Sequence, residues 1–171
     1  MLRRSVLSRL LRLSLAGGSV LALAGCGFKL RGSQNFAFSS VAVVPNPGGP
    51  VAIELRRSFG SAVHVLSTEE PLTLAQVVLS VLNEQREKTV VGMNSSGQVR
   101  EFQLRIRLKF KVDTPHGKEL LQESEIVLER DISFNESAVL AKEAEEVLLY
   151  RNMQTDIVQQ LMRRLAAVRL G

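Results

Sequence analysis

Four basic side chains at two-residue spacing form the most regular chemical pattern in this sequence of 171 residues. They are Arg105, Arg107, Lys109 and Lys111, and they alternate with the apolar residues Leu104, Ile106, Leu108 and Phe110. Strict alternation predicts a half-buried β-strand, so the cations would share one sheet face at intervals of about 7 Å. Such a row suits phosphorylated or carboxylated ligands. The alternative is a solvated face whose cations are neutralised by neighbouring glutamates.

Cys26 is the only cysteine in the chain, so it cannot form an internal disulfide bond. It directly follows Leu23-Ala24-Gly25, at the end of an apolar stretch (residues 13–24) that four arginines precede. This pattern is typical of a bacterial lipoprotein, with a signal peptide at 1–25, cleavage before Cys26 and acylation of the new N-terminus. The apolar stretch is shorter than the roughly 20 residues that span a bilayer. The alternative is an ordinary buried cysteine.

Removal of residues 1–25 would change the electrostatic balance of the chain. The whole sequence has 22 Lys+Arg and 17 Asp+Glu, a formal net charge of +5. Four arginines and no acidic residue lie before Cys26, which leaves 18 minus 17, or +1. The high net charge is therefore no argument for nucleic-acid binding, and we expect no nucleic-acid partner. The remaining 146 residues (171 minus 25) are enough for one domain with an apolar core.

A catalytic site is difficult to assemble from this sequence. His64 and His116 are the only histidines, one in a short apolar stretch and one in a predicted turn. The sole cysteine is assigned to acylation, and neither a phosphate-binding glycine loop nor a spaced His/Cys metal set is recognisable. The acidic residues Glu143, Glu145 and Glu146 fit solvated partners of a helix dipole better than general acids. We therefore expect no enzyme, no cofactor and no metal.

The elements that would position these groups follow from hydrophobic periodicity. Residues 26–38 are predicted to be a lipid-anchored tether and residues 39–171 a single domain. Within that domain we expect a strand at 39–45, a helix at 50–60, a brief extended piece at 63–66, strands at 72–91 and 102–111, a returning strand, and a helix at 137–168. In the last helix, Leu140, Val147 and Leu148 recur at the same helical spacing as Ile157 and Leu161, which predicts one core-facing side.

This order of elements predicts an α+β fold, in which two helices pack on one face of a roughly four-stranded mixed sheet as a two-layer sandwich. The basic strand and the strand after it are predicted to pair as a hairpin around residues 114–117. If paired residue numbers sum to about 232, Lys109 faces Glu123 on the polar side and Ile106 meets Ile126 on the apolar side. Charge pairs and apolar pairs are then satisfied by one register.

Four further segments carry a resemblance when they are read in order. They are Cys26-Gly27-Phe28-Lys29-Leu30-Arg31-Gly32, Ser96-Gly97-Gln98-Val99-Arg100-Glu101-Phe102-Gln103-Leu104, Leu140-Ala141-Lys142-Glu143-Ala144-Glu145 and Gln159-Gln160-Leu161-Met162-Arg163-Arg164-Leu165. Together they resemble the LptE family, the lipopolysaccharide-assembly lipoproteins of Gram-negative outer membranes. The resemblance covers nearly the whole chain after Cys26.

The resemblance implies a non-enzymatic lipoprotein that faces the periplasm and sits as a plug in the LptD β-barrel. It implies a heterodimer with that barrel, help in its assembly, and assistance in delivering lipopolysaccharide to the outer leaflet. A basic family position linked to lipopolysaccharide contact maps onto Lys142. Another falls near Ser95, where this chain has no cation, although Arg100 is close enough to substitute. Candidate contacts added from the basic row, and not from the family, are Arg105, Arg107 and Lys109.

The residue after the lipid acceptor bears on location. It is Gly27 and not aspartate, which in lipoprotein sorting resembles release toward the outer membrane. Two other classes of function remain open. A free-standing, periplasm-facing lipoprotein that binds an anionic or cell-wall ligand would also use a basic sheet face, and it would have a closed pocket and no obligate barrel partner. An enzyme would need a pocket that brings His64 near two carboxylates.

Overall fold

A computed structural model describes residues 34–170. The predicted signal peptide, the predicted lipid acceptor Cys26 and the predicted tether up to residue 33 lie outside the described residues. The described elements are, in chain order, β1 (Ser40–Val44), α1 (Pro50–Ser58), β2 (His64–Val65), β3 (Val77–Met93), β4 (Val99–Asp113), β5 (Glu119–Ser133) and α2 (Val139–Ala167). Neither helix in this range is both long enough and apolar enough to cross a membrane.

The strands form one mixed sheet in the order β2-β1-β3-β4-β5. β1 is parallel to both of its neighbours, whereas β3, β4 and β5 form an antiparallel meander. The expected extended piece is the fifth strand, because His64 and Val65 pair with Ser40 and Val41. The predicted α+β sandwich is therefore confirmed, with one short edge strand added to the four that were expected.

β3 begins later than its apolar pattern predicted, at Val77 and not at residue 72. Leu72–Leu74 form a 3₁₀ turn in which the Leu74 N–H donates to the carbonyl of Pro71 at 3.0 Å. The neighbouring strands explain the difference. β1 reaches β3 only from the pair Val41–Val77, and β4 reaches it only from the pair with Val78, so earlier residues have no partner strand.

The β4–β5 hairpin forms around the predicted turn, but most of its register differs from the predicted one by two residues. Lys109 pairs with Glu125, where Glu123 was expected. Next to the turn, Asp113 pairs with Glu119, and these two residue numbers sum to the predicted 232. Two register shifts lie between this pair and the pair of Lys109 with Glu125. Because the shift is an even number of residues, each side chain keeps its predicted face of the sheet.

The core lies between the sheet and the two helices. Its fully buried β4 residues, all 0 % exposed, are Leu104, Ile106, Leu108, Phe110 and Val112, and its fully buried α2 residues are Ile157, Leu161 and Leu165. Phe36 and Phe38 come from the predicted tether, yet their rings lie 5.4 and 6.5 Å from the ring of Phe59. The described end of the tether therefore belongs to the folded domain, because these rings extend its core.

A side chain from β3 caps the amino end of α1. Both carboxylate oxygens of Glu84 lie 3.2 Å from the backbone nitrogen of Val51, the first N–H of the helix because Pro50 precedes it. Burial raises the pKa of Glu84 above its ordinary value of 4.5, and the hydrogen bond from Val51 opposes this in part. Gly49 permits the approach, since a Cβ at that position would overlap the Glu84 carboxylate.

This cap predicts a pH-dependent difference between two variants. Because the pKa of Glu84 is raised in the folded state, the free energy of unfolding falls as the pH rises from about 4.5 toward neutrality. Glu84→Gln keeps an acceptor oxygen but removes the charge, so we expect it to gain stability relative to the wild type across this range. Glu84→Ala loses the cap, which costs about 1 kcal/mol at acid pH, and this loss should shrink toward neutral pH because only the wild type loses stability as Glu84 ionises. Urea unfolding at acid and neutral pH checks both, and equal losses for the two variants at neutral pH would contradict the assignment.

Candidate functional site

The predicted basic row lies on the sheet face that points away from the helices. Arg105 extends between its neighbouring strands, with Nε 2.7 Å from a carboxylate oxygen of Glu129 and Nη1 3.4 Å from one of Glu87. Arg107 Nη1 lies 3.6 Å from a carboxylate oxygen of Glu125. The glutamates on β3 and β5 therefore neutralise both arginines, which favours a solvated, register-setting role for them.

The two lysines of the row differ from each other. Lys111 Nζ lies 2.9 Å from a carboxylate oxygen of Asp113, and this hydrogen bond raises the pKa of Lys111. Lys109 forms no ion pair within residues 34–170, although it pairs in register with Glu125 and Asn83. Lys109 is thus the cation of the row that is most available to a ligand, and anion binding by the row stays a prediction.

Lys142 lies on the first turn of α2 and reaches the end of β5. Its Nζ lies 3.0 Å from Ser133 Oγ and 2.9 Å from a carboxylate oxygen of Glu145. Only 22 % of the Lys142 side chain is exposed, so the ammonium group is held in position at the surface. Two of its three N–H donors are used by these contacts, which leaves one for a ligand.

Arg100 is separated from the basic row by the alternation of β4. It lies on the same side of the strand as Phe102 and Leu104, which face the helices, whereas Arg105 lies on the opposite side. β5 ends where β4 begins, and the Phe134 N–H donates to the Arg100 carbonyl at 2.7 Å. The structure therefore brings Arg100 and Lys142 to one end and one side of the sheet, away from the other candidate cations.

The first half of α2 carries an exposed apolar surface, which we call the helix strip: Leu140, Val147 and Leu148. These side chains are 82 %, 67 % and 58 % exposed, so the expectation that they face the core is wrong. The reason is that polar contacts hold this half of the helix to β3. Tyr150 donates to the Glu87 carbonyl at 2.7 Å, and Lys88 pairs with Glu146 at 2.6 Å.

A cavity under the first turns of α2 was not expected from the sequence. We call it the α2 cavity; its volume is about 210 Å³, and it is lined by Lys88, Phe102, Ile132, Ser133, Phe134, Val139, Lys142, Glu143 and Glu146. These residues come from β3, β4, β5 and α2 and the connection between the last two, so no local motif could have revealed the cavity. Lys142 is the one predicted site residue among them.

Neither histidine has the surroundings of a catalytic group. His64 Nε2 lies 2.9 Å from one carboxylate oxygen of Glu70 on an exposed loop, and His116 is exposed in the β4–β5 turn. Hydrogen bonds from the Ser67 N–H and His64 lower the pKa of Glu70 to about 2. Within residues 34–170, no group of three or more His, Cys, Asp or Glu side chains could hold a metal ion.

The fold is shared with bacterial lipoproteins of known structure. Lipoprotein B from Nitrosomonas europaea superimposes with a TM-score of 0.69 and 33 % identity, over 82 % of this chain and 91 % of that one. Rare lipoprotein B from Shewanella oneidensis has a TM-score of 0.62 and 22 % identity, over 75 % and 94 %, which shows the fold alone. The fold therefore defines a class of small α+β lipoproteins.

Sequence comparison identifies the family within that class. The LptE family model, described as lipopolysaccharide-assembly, matches residues 37–165. The LPS-assembly lipoprotein LptE of Pectobacterium atrosepticum is 30 % identical over 156 residues, 89 % of this chain and 83 % of that protein. Its counterpart from Yersinia enterocolitica is 28 % identical over 161 residues, 90 % and 74 %. The chain belongs to the LptE family of lipopolysaccharide-assembly lipoproteins, as the resemblance predicted.

Proposed function

We propose that the chain is acylated at Cys26, lies in the outer membrane facing the periplasm, and plugs the LptD β-barrel as its heterodimeric partner. In this role it helps the barrel to assemble and assists delivery of lipopolysaccharide to the outer leaflet, without catalysing a reaction. The family match over residues 37–165 is the observation that carries the proposal, because it spans almost the whole described domain.

The dimensions of the sheet support a role inside a membrane-spanning partner. β3 has 17 residues, and at about 3.3 Å per residue it is about 55 Å long. The hydrocarbon core and headgroups of a bilayer together measure about 40–45 Å. The first described residues lie at the end of the sheet where β1 and β3 begin. Arg100 and Lys142 lie at the opposite end, where β3 ends and β4 begins. A domain inserted along its strands would thus carry these cations across the thickness of the membrane.

The helix strip supports contact with a protein partner. Monomeric proteins rarely expose neighbouring large apolar side chains without a use for them, and Leu140 is 82 % exposed. The free-standing alternative receives less support from the structure. It relied on a cationic sheet face, and the ion pairs of Arg105 and Arg107 with glutamates leave little unbalanced charge there.

The proposed lipopolysaccharide contact predicts that Lys142→Gln impairs function without impairing folding. Cells depleted of the chain and complemented with this variant should show several-fold less surface lipopolysaccharide than cells complemented with the wild type. The physical reason is the loss of a charged hydrogen bond to phosphate, worth about 1.5–3 kcal/mol. Surface staining with total lipopolysaccharide as reference measures the effect.

The matched control for this variant is Arg163→Gln, which removes an exposed cation from the second half of the same helix. It should leave surface lipopolysaccharide unchanged. If depletion of the wild-type chain itself left surface lipopolysaccharide normal, the delivery role would be refuted. If depletion had an effect but Lys142→Gln and Arg163→Gln behaved alike, only the assignment of Lys142 would fail.

A further inference from the structure

The apolar part of the α2 cavity lining is built around two aromatic rings. Phe102 and Phe134 pack edge to face, with ring centroids 5.3 Å apart and an interplanar angle of 82°. Ile132, which is 4 % exposed, and Val139 complete the apolar wall. This part of the lining gains nothing from water or a bare anion, and it fits a hydrocarbon group.

The size of the cavity limits what it can hold. Its volume of about 210 Å³ exceeds the engineered apolar cavity of about 150 Å³ that binds benzene. It is smaller than the pockets of about 300–1,000 Å³ that bury whole drug-sized ligands. The cavity therefore suits the end of one hydrocarbon chain, and the rest of a ligand would continue outside. Leu140 follows the lining residue Val139 in the chain and is 82 % exposed, so it offers apolar surface outside the cavity.

Charged side chains form the rim of this apolar part, with the ammonium groups of Lys88 and Lys142 beside the carboxylates of Glu143 and Glu146. Lys88 Nζ lies 2.6 Å from a carboxylate oxygen of Glu146 and 4.3 Å from the centroid of the Phe102 ring. Lys142 is held by Ser133 and by Glu145, whose side chain is 49 % exposed. Because each lysine already has a carboxylate partner, a simple anion would gain little at this rim. Hydrocarbon burial must supply most of the affinity, at about fourfold per methylene group.

We propose that the α2 cavity binds the end of one acyl chain of a phosphorylated lipid, with its phosphate held at the rim by Lys142 and Lys88. The inference rests on the proposed role in lipopolysaccharide delivery and deepens it by naming an acyl site. Displacement of the exposed Glu145 by a phosphate oxygen would preserve the hydrogen bonding of Lys142. The remaining chain would lie over Val139 and Leu140.

The test uses photoreactive dodecyl phosphate, with a diazirine near the end of its chain, added to outer-membrane vesicles that contain the full acylated protein. Mass spectrometry of this chain should find the label on Phe102 and within residues 132–139. Val139→Phe enlarges a side chain of the apolar wall and so fills part of the cavity, which should lower this labelling at least fivefold. The matched control Val147→Phe enlarges an exposed valine on the same helix and should leave the labelling unchanged. Equal labelling in both variants, or label spread along the helix strip, overturns the proposal.

Two further arms identify what is recognised. Lys142→Gln should lower labelling by dodecyl phosphate more than labelling by the corresponding photoreactive dodecanol, because only the phosphate contacts the ammonium group. Excess inorganic phosphate alone should not compete; full competition would show an anion site without an acyl site and would refute the proposal. Labelling is read on this chain, so its absence beside normal lipopolysaccharide delivery would overturn the acyl site and leave the proposed function standing.

Discussion

A chain that carries both Leu140→Asp and Val147→Asp is expected to fold normally and to lose the proposed barrel partner. Both side chains are exposed, at 82 % and 67 %, so their replacement removes no core contact. In a complex they would be buried against the barrel. Truncation of an apolar anchor at the centre of an interface costs about 2 kcal/mol, or about 30-fold in affinity. Burial of two carboxylates adds to this loss, so we expect co-isolation of the barrel to fall more than 100-fold.

The control for this double variant must match its change in charge. Arg163→Asp also changes the net charge by −2, and it lies on the exposed side of the second half of α2. We expect this variant to retain the barrel, and we expect thermal unfolding of both variants to match that of the wild type. Retention of the barrel by the double aspartate variant would show that the helix strip is not part of the interface.

The second large effect is expected at Cys26, the proposed lipid acceptor. Cys26→Ser removes the thiol that would carry the lipid, and the chain should then move from the membrane fraction to the periplasmic fraction. The size of the effect follows from the anchor, since each buried methylene contributes about 0.8 kcal/mol and stable anchoring requires more than one chain. Membrane fractionation with intact mass measurement checks the prediction.

Gly27→Asp provides the matched variant for this experiment. It keeps the thiol, so the chain should remain acylated and membrane-bound, but in the inner membrane. Recovery of Cys26→Ser in the outer membrane at the wild-type level would show that the folded domain, and not a lipid, holds the protein there.

The hydrophobic pattern predicted the sheet better than it predicted the long helix. The strict alternation in β4 predicts a strand with one buried face, and only the face of β4 toward the helices is in fact buried. The register of its hairpin could not be derived in full, since two local shifts near the turn move Lys109 from Glu123 to Glu125. Such shifts depend on the geometry of paired strands and leave no mark in either strand alone.

The helix strip shows why apolar spacing does not always predict a core. Leu140 and Val147 have the same periodicity as Ile157, which is 0 % exposed. What separates them is the surface opposite each turn. The second half of α2 meets the apolar residues of the sheet, whereas the first half meets Lys88 and the Glu87 carbonyl on β3. Polar contacts satisfy that side and leave the apolar residues facing outward.

The candidate site was predictable only in part. Lys142 came from the family resemblance, and its support by Ser133 arises because β5 ends beside the first turn of α2. The α2 cavity combines side chains that are far apart in the sequence, such as Phe102 and Val139, so it follows from the topology alone. The division of the cations between the two sheet faces was predictable from the sequence. Arg100 and Arg105 lie an odd number of residues apart on one strand, so their side chains point to opposite faces of the sheet.

The most direct test of the account is to isolate the tagged full-length chain from outer membranes of its native cell in a mild detergent. The account predicts a one-to-one complex with a β-barrel protein, in which this chain begins at an acylated Cys26. Recovery of the chain alone, unacylated and still carrying residues 1–25, would contradict it.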